Sequence, residues 1–420
     1  MRVLFAVWMV LGVVAPVRAQ EAVTLTLPQA VERARRLNPD VRALQARLGQ
    51  QSAAVRVALA RVLPTLAVTG TWLHNEQKVE AAGRVVARQD ELSLVGGLQV
   101  GLFRPGALGE WLVAGVELDA SREAATYDTE AVAFGVVELF IGAQRAGARR
   151  AAAEAAVERR GAFQRAAEAR LRSDLTDRSE AQRAALSLAT ASMELDAAAA
   201  DEAATLVALA AVLDVRGPGL RLAGAGTAPA VASGAPEMLR GDVRAVRVLL
   251  DERDGLAETF TWLRFLPDVE LQATFAQAQE SFTNPDGLTW RLELQARWAL
   301  YDGGERYGLL DLADATVDLH RAELAGLEAR AGAEVRASEI RVEQHERQLA
   351  TARWSLETAR QVREDVGRRL DAGLATVLDV LDAEAQLSAA DERAATLAHD
   401  LELARWRLIH ARGELGVALP

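Results

Sequence analysis

The sequence predicts an α+β membrane protein in which a few two-faced β-strands are joined to very long α-helices. Residues 108–170 and 305–370 contain no proline and are predicted to form continuous helices. Residues 290–300 alternate strictly between apolar and polar side chains, which is the period of a β-strand. Motifs from the first half of the chain recur in the second, which indicates that one unit has been duplicated.

The amino terminus has the features of a secretory signal. Arg2 precedes an uncharged apolar run at residues 3–17, and Val17-Arg18-Ala19 fits a cleavage site before Gln20. The apolar run is shorter than the ~20 residues that a membrane-spanning helix requires, which argues against a membrane anchor. We therefore expect residues 1–19 to be removed on export.

The composition excludes several classes of function. The 420 residues include no cysteine, which excludes disulfides, thiolate metal sites and cysteine nucleophiles. The formal net charge of −11 disfavours nucleic acid as a partner. The histidines lack the close spacing of metal ligands, and the acidic residues are spread along the helices. We expect neither an enzyme nor a cofactor or metal site.

Two copies of one unit are visible in the sequence. The motif DVRA at residues 40–43 recurs at 242–245, and Leu-Pro at 63–64 recurs at 266–267, about 200 residues later in each case. We expect a first repeat at 20–216, a linker rich in glycine, proline and alanine at 217–236, and a second repeat at 237–420. Each repeat is predicted to run helix, strand, strand, long helix, helix.

The second repeat contains a predicted strand pair at residues 269–277 and 290–300, joined by a polar turn at 280–287. The side chains expected to face lipid are Leu271, Phe275, Trp290, Leu292, Leu294 and Trp298. Those expected to face a water-filled lumen are Glu270, Gln272, Arg291, Glu293, Gln295 and Arg297. A soluble, half-buried hairpin has the same period, but the charged face, the tryptophans and the export signal favour a membrane.

The first repeat contains a second strand pair, with alternating residues from Leu66 to Trp72 and from Leu92 to Leu102. Four strands are too few to close a water-filled barrel, because side chains already fill an eight-stranded one. We therefore expect several copies of the chain to share one barrel.

The long helices have coiled-coil periodicity. One seven-residue series is interrupted at Arg363 and comprises Val335, Val342, Leu349, Leu356 and Leu370. A second series comprises Val380, Leu387, Ala394, Leu401 and Leu408. These series predict antiparallel helical hairpins, and they leave open whether further seams face neighbouring subunits.

Short motifs occur in a fixed order along the chain. They are LNPD at residues 37–40, Leu-Pro before the first strand of each half, YDGG at 301–304, and Gly-Leu at 373–374 leading to LDVLDAE at 378–384. Together these motifs resemble the TolC family of outer-membrane efflux proteins, over nearly the whole mature chain.

The resemblance implies a homotrimer in the bacterial outer membrane that extends into the periplasm. Each chain would give four strands to one twelve-stranded β-barrel, continuous with a long α-helical coiled-coil barrel. The duct would passively conduct substrates delivered by an inner-membrane pump through a periplasmic adaptor, or membrane fusion protein, in efflux or type I secretion. The alternative is an exported coiled-coil scaffold or adaptor-like structural protein, which would leave the apolar strand faces unexplained. The exported substrate stays open.

The turns that follow the two long helices are the expected recognition site. The resemblance implies that an adaptor contacts these hairpin tips, and the tip residues are Arg172, Ser173, Asp174, Ala372, Gly373 and Leu374. The alternative is a plain helix reversal, for which Gly373 is sufficient.

Two acidic residues are the expected periplasmic aperture. Asp379 and Asp382 are three residues apart and share one helix face, so threefold symmetry would gather six carboxylates. The resemblance implies that they form constriction rings. The alternative is that both acids only favour the first turns of the helix through its dipole. The family's companion Tyr and Arg correspond to Leu370 and Ala375, so we expect a different latch.

Overall fold

The structure, a computed structural model, describes residues 23–81, 84–87, 89–173, 177–215, 219–229, 240–278 and 287–419. The predicted signal, Asp174 and most of the predicted turn at 280–287 lie outside the described residues. The chain divides into two compact units. Unit 1 comprises the chain up to Asn38, Val136–Thr227 and Gln348–Glu402, and unit 2 comprises Pro39–Gly135, Ala228–Arg347 and the chain from Leu403.

The described part of the chain contains eight strands, nine α-helices and one π-helix. The strands are β1 Val23–Leu25, β2 Thr65–His74, β3 Val79–Ala81, β4 Arg84–Ala87, β5 Asp90–Phe103, β6 Leu220–Leu222, β7 Asp268–Ala278 and β8 Leu288–Arg297. The helices are α1 Leu27–Leu37, α2 Pro39–Ala60, α3 Pro105–Arg172, α4 Arg178–Val212, α5 Gly241–Val248, α6 Asp254–Leu263, α7 Glu305–Asp371, α8 Val377–Ala411 and α9 Leu415–Ala418. A π-helix, Leu249–Arg253, joins α5 to α6.

Unit 2 contains an antiparallel sheet of four strands in the order β2-β5-β7-β8. These are the four strands that the alternating patterns predict. The last strand ends at Arg297 rather than at residue 300, because Arg297 pairs with Asp268, the first residue of β7. Residues 298–300 therefore have no ladder partner.

Two small sheets were not visible in the sequence. Strands β1 and β6 pair in parallel within unit 1, and β3 and β4 form a short hairpin within unit 2. Both small sheets contain strands of three residues, too short to show an alternating pattern.

The long helices are continuous, as the absence of proline predicts. Helix α3 has 68 residues and α7 has 67, so each is about 100 Å long at ~1.5 Å per residue. By length and composition alone, α3 is also the one described helix apolar enough to cross a membrane. Within this helix, Val136, Val137 and Phe140 are fully buried.

The helices of unit 1 pack along the predicted seven-residue series. On α8, Val380, Leu387 and Leu401 are buried. Helix α4 adds an alanine series that the sequence analysis missed, with Ala184, Ala191 and Ala198 buried at seven-residue spacing. Small side chains at a seam allow helix backbones to approach closely, so the chain's high alanine content serves packing.

Unit 2 has its own seam between α7 and α8. Val335 of α7 packs against Leu408 and Ala411 of α8, and Val342 covers the same cluster. Three of these residues belong to the predicted series, which confirms an antiparallel packing of the two helices in this unit.

Candidate channel wall and helical tips

The polar face of the sheet gathers all six residues that were predicted to line a lumen. Across β7 and β8 the register places Glu270 opposite Gln295 and Gln272 opposite Glu293. Arg291 lies opposite Thr274, and Arg297 lies opposite Asp268. Paired residues of an antiparallel ladder share one face of the sheet, so the charged and amide side chains form one hydrated surface.

Strand β5 extends this polar surface, and two side chains from β5 and the residue after it hold the carboxylate of Glu270 in place. Gln99 donates a hydrogen bond from Nε2 to Glu270 Oε2 over 2.8 Å, and Arg104 lies 3.2 Å from the other carboxylate oxygen through Nε. Sequence reasoning missed Arg104, which follows β5 directly and continues no alternating pattern. The carboxylate of Glu270 is therefore held in place by two side chains from the neighbouring segment.

The opposite face is apolar on all four strands. One row across the sheet is Leu66, Leu98, Ala273 and Leu292, and the next is Val68, Gly96, Phe275 and Trp290. Leu294 continues the face opposite Leu271. Five of the six predicted lipid-facing residues are exposed in the single chain, and Leu271 is half-buried. An exposed apolar face of this extent requires lipid or a protein partner.

The first helical tip follows α3. Arg172 is the last residue of the helix, and Ser173 donates from its hydroxyl to the Ala169 carbonyl over 3.2 Å. Both are exposed. Helix α4 then begins after Asp177, whose carboxylate accepts from the Ser179 and Glu180 backbone N–H groups. A hydrogen bond from the Ser179 side chain is the main reason that the pKa of Asp177 is lowered.

The second helical tip ends α7 with a glycine cap. Gly373 has a positive φ of 73°, and the Leu374 N–H donates to the Arg369 carbonyl over 2.8 Å. Ala372, Gly373 and Leu374 are exposed. The tip thus has the geometry of a helix reversal and leaves its apolar residue, Leu374, uncovered.

Arg170 joins the two tips within unit 1. Its guanidinium donates from Nη2 to the Leu370 carbonyl over 3.5 Å, and Nη1 lies 3.6 Å from Asp371 Oδ1. The bond to a C-terminal carbonyl of α7 suits the negative end of that helix dipole. Sequence reasoning did not identify this residue, because nothing in the local pattern marks its partner.

Asp379 and Asp382 both lie exposed on the first two turns of α8. Asp379 Oδ2 accepts from the Thr376 backbone N–H and hydroxyl, each over 2.7 Å, while the Asp379 N–H donates to the Thr376 hydroxyl over 3.3 Å. This reciprocal arrangement is a capping box. The backbone N–H and hydroxyl of Thr376 hold the pKa of Asp379 below its usual range. Asp382 accepts only from Gln386 among the described residues, over 3.1 Å.

The residues that replace the family's companion Tyr and Arg lie in an apolar cluster. Leu370 packs with Val377 and Val380, and Ala375 packs against the same cluster together with Phe163 of α3. The positions therefore contribute hydrophobic packing beneath the tip instead of a polar link.

A buried charge cluster in unit 1 was missed by sequence reasoning. Glu384 of α8 is fully buried, and its Oε1 accepts from Arg363 Nε of α7 over 2.6 Å. Arg159 of α3 lies 3.3 Å from the other carboxylate oxygen through its own Nε. One carboxylate thus joins three helices. The feature of the sequence that could have revealed this cluster is the interruption of the seven-residue series at Arg363.

Comparison with protein families matches one part of the chain. Residues 242–414 match the family model described as outer membrane efflux protein. Comparison with curated protein sequences gave no match.

Solved structures match nearly the whole chain. A crystal structure of CusC, described for its folding and transmembrane channel formation, has a TM-score of 0.80 at 16% identity, over 92% of this chain and 91% of that chain. The outer membrane protein VceC of Vibrio cholerae has a TM-score of 0.75 at 20% identity, over 92% and 96%. The open MtrE outer membrane channel of Neisseria gonorrhoeae has a TM-score of 0.78 at 17% identity, over 94% and 90%.

At these identities the structural likeness shows the fold, and it confirms the predicted fold class of strands joined to a long helical coiled coil. The family match confirms, for residues 242–414, the resemblance drawn from the short motifs. Residues 242–414 thus match the outer membrane efflux protein family, and over 92% of its length the chain has the fold of the solved CusC and VceC structures.

Proposed function

We propose that this chain is an outer-membrane efflux protein, and that three copies form one channel, which passively conducts water-soluble substrates that an inner-membrane pump delivers through a periplasmic adaptor. The observation that carries the proposal is the four-stranded sheet, which has one polar face and one face that is apolar except at one end, where the His74–Asp90 pair and Gln277 lie. A lipid-facing exterior and a hydrated interior need this division of side chains.

The number of copies follows from the edges of the sheet. Strands β2 and β8 are its outer strands, and within the described part of the chain neither has a second strand partner. Unpaired backbone groups in lipid cost several kcal/mol each, so the edges must pair with further copies. Two copies would give eight strands, which side chains fill, whereas three give twelve and leave a water-filled lumen.

The lining favours a wide range of water-soluble cargo. Arginine, glutamate, glutamine and threonine side chains alternate along β7 and β8 without segregation of one charge. A wall of this composition discriminates little between water-soluble substrates, so the pump is the component that selects the substrate.

The adaptor is proposed to bind the helical tips of unit 1. Beside the tips, an open groove of about 650 Å³ is lined by apolar residues such as Phe163 and Leu370 and by charged residues of both signs, including the paired Arg170 and Asp371. Exposed Leu374 extends this apolar surface. A helical partner with apolar side chains would complement this surface.

The aperture is proposed at Asp379 and Asp382. Both carboxylates are exposed in the single chain and lie on one face of α8, and the lowered pKa keeps Asp379 charged. The capping box occupies Asp379 Oδ2, so a cation would meet Oδ1 of this residue and the carboxylate of Asp382.

Disulfide crosslinking tests the shared barrel, because the chain has no cysteine of its own. One cysteine on the edge strand β2, at Thr71, is combined with one on the edge strand β8, at Thr289, Arg291 or Glu293. We expect at least one pair to give an oxidised ladder that ends at three chains on non-reducing gels. A ladder that ends at two, or no ladder from any pair, would refute the proposed trimer, and recovery of the protein without detergent would favour the scaffold.

A further inference from the structure

The helical segment before β7 has one residue more than its counterpart in the first repeat. DVRA at 40–43 recurs 202 residues later, at 242–245, whereas Leu-Pro at 63–64 recurs 203 residues later, at 266–267. In the first repeat this stretch is the regular helix α2. In the second, the π-helix Leu249–Arg253 takes up the extra residue, and the Asp254 N–H donates to the Leu249 carbonyl five residues earlier. Because π-helices are rare and occur frequently at functional sites, the insertion marks this turn as a candidate site.

Charged side chains hold the π-helix against the neighbouring helices of unit 2. The buried Asp254 accepts from Arg253 Nη1 over 3.1 Å, and its other carboxylate oxygen lies 2.9 Å from Nδ1 of His320 on α7. Arg253 also donates from Nε to Glu117 Oε1 of α3 over 3.4 Å. Counted back from Leu-Pro, the first repeat has the exposed Gln50 at the place of Arg253. This largely buried arginine therefore belongs to the second repeat alone.

An open cavity of about 300 Å³ lies beside the π-helix, between α6 and the parts of α3 and α7 that belong to unit 2. Its walls are mainly apolar and include Val113, Phe260, Leu309 and Leu312. Arg253 also lines the cavity. Cavities that bind small molecules begin at about this volume, and they combine apolar walls with a few polar groups. The cavity therefore suits a small, mainly apolar molecule.

The arginines at the wall have hydrogen-bond donors that the protein does not use. Arg253 donates from Nε and Nη1, and its Nη2 has no hydrogen-bond partner among the described residues. Within the same part of the chain, Arg264 donates only from Nη2, to Glu110 Oε1 over 3.3 Å. An unused guanidinium N–H beside apolar walls favours a ligand that carries a hydrogen-bond acceptor.

The charges at and next to the wall are balanced, which argues against a charged ligand. Three guanidinium groups pair with three carboxylates, and the paired residues are Arg61, Arg253, Arg264, Glu110, Glu117 and Asp254. An anionic ligand would add an unpaired negative charge near Glu110 and Glu117, and a cationic ligand would meet the arginines. An uncharged acceptor, such as the carbonyl oxygen of a ketone or an ester, satisfies the free N–H and keeps this balance.

We infer that the cavity beside the π-helix binds a small uncharged molecule with an apolar, ring-containing body and a carbonyl oxygen that accepts a hydrogen bond from Arg253 Nη2. The aromatic ring of Phe260 provides a packing surface for the ligand ring. Conduction along the polar face of the sheet does not depend on this site, so the inference and the proposed channel can fail separately.

Photocrosslinking with benzophenone tests this inference in the full-length protein in phosphatidylcholine nanodiscs. Benzophenone is an uncharged diaryl ketone that reacts on irradiation with nearby C–H bonds, so peptide mass spectrometry locates its binding site. Three competitors separate the interactions, because acetophenone has the carbonyl, ethylbenzene lacks an acceptor and benzoate carries a charge. Arg253→Met removes the donor and keeps an apolar side chain. Arg247→Met is the matched control, since Arg247 lies on α5 and pairs with Glu328 away from the cavity wall.

We expect crosslinks within residues 257–261 of α6 and 309–316 of α7, suppressed by acetophenone at about tenfold lower concentration than by ethylbenzene or benzoate. Arg253→Met should weaken this crosslinking about tenfold, and Arg247→Met should leave it unchanged. The competition in wild-type protein decides the case even if Arg253→Met does not assemble.

Three results would overturn the inference. Equal competition by acetophenone and ethylbenzene, or unchanged crosslinking in Arg253→Met, would show that the donor plays no part. Stronger competition by benzoate would show an anion site. No crosslink in either segment, in protein that still forms the disulfide-linked trimer, would refute the site and leave the proposed channel standing.

Discussion

Arg363 donates a hydrogen bond from Nε to Oε1 of Glu384 over 2.6 Å, and Glu384 is fully buried. The pair occupies the point where the apolar seven-residue series of α7 is interrupted. A charged residue at a seam position costs stability unless a partner is supplied, and α8 supplies it here. Arg159 completes the cluster from α3, so the interruption marks a specific contact among three helices.

Removing the carboxylate of Glu384 is expected to destabilise the helices around it. In Glu384→Ala, the guanidinium groups of Arg159 and Arg363 lose their shared partner, at a cost of about 3 to 5 kcal/mol for a buried pair. Because Arg363 is partly exposed, we expect the lower end of that range. Hydrogen exchange of the α8 backbone N–H groups near residue 384 measures this as faster local opening.

The matched control is Asp382→Ala, two residues earlier on the same helix. Asp382 is exposed and accepts only from Gln386 among the described residues, so its loss should change local stability by less than about 0.5 kcal/mol. Equal exchange rates in the two variants would show that the buried pair contributes no specific stability.

The sequence predicted the architecture because strands and coiled coils have local periods. The alternation at residues 290–300 assigned the side chains from Trp290 to Arg297 to their observed faces of β8, but it did not include Leu288 and Thr289 at the start of the strand. It misplaced the end of the strand, since that end depends on where β7 begins, at Asp268. Strands β1 and β6 were not predicted because their pairing joins segments far apart in the chain, such as Val23 with Leu220.

The candidate site was harder to predict, because its contacts link different elements. The interruption at Arg363 was visible, but a helical period does not reveal that Glu384 on another helix is its partner. For Asp379 the sequence left two interpretations open, an aperture and a helix start. The hydrogen bonds with Thr376 show that Asp379 caps the start of the helix, and the aperture stays a prediction.

A charged side chain on the apolar face of β8 is expected to block membrane assembly. Arginine at Leu294 places a charge on the apolar face, at a cost of roughly 2 to 4 kcal/mol near the bilayer midplane. Arginine at Gln295, the next residue on the polar face, should be tolerated. Heat-modifiable trimer in outer-membrane fractions measures assembly, and equal yields from Leu294→Arg and Gln295→Arg would contradict the assignment of the two faces.

The helical tips are expected to contact the adaptor in cells. Photocrosslinking side chains at Arg172 and Ala372 should capture the adaptor, because both residues are exposed at the ends of the long helices. A crosslinker at Thr71 on β2 is the control, and it should capture no adaptor. Capture from residue 71 and not from 172 or 372 would show that recognition lies on another surface.

The aperture is expected to bind multivalent cations. In planar bilayers, such cations added on the periplasmic side should block conductance of the wild-type channel, because a threefold arrangement concentrates the carboxylates of Asp379 and Asp382. Asp379→Ala combined with Asp382→Ala should abolish the block. Asp371→Ala is the matched control, since this exposed acid lies at the tip outside the proposed ring. Undiminished block in the double variant would eliminate the aperture and leave only the capping role.

The block of conductance by cations is expected to be lost as the pH falls. The backbone N–H and hydroxyl of Thr376 lower the pKa of Asp379, so the carboxylate stays charged through the ordinary aspartate range and is neutralised only when the pH falls below it. The block should therefore persist at a pH of about 4, near the usual pKa of an aspartate, and disappear at lower pH. Thr376→Val removes the hydroxyl donor and should move the loss of block to higher pH, without abolishing the block at neutral pH. An unchanged pH profile in Thr376→Val would show that Asp379 is not the group that the cation meets.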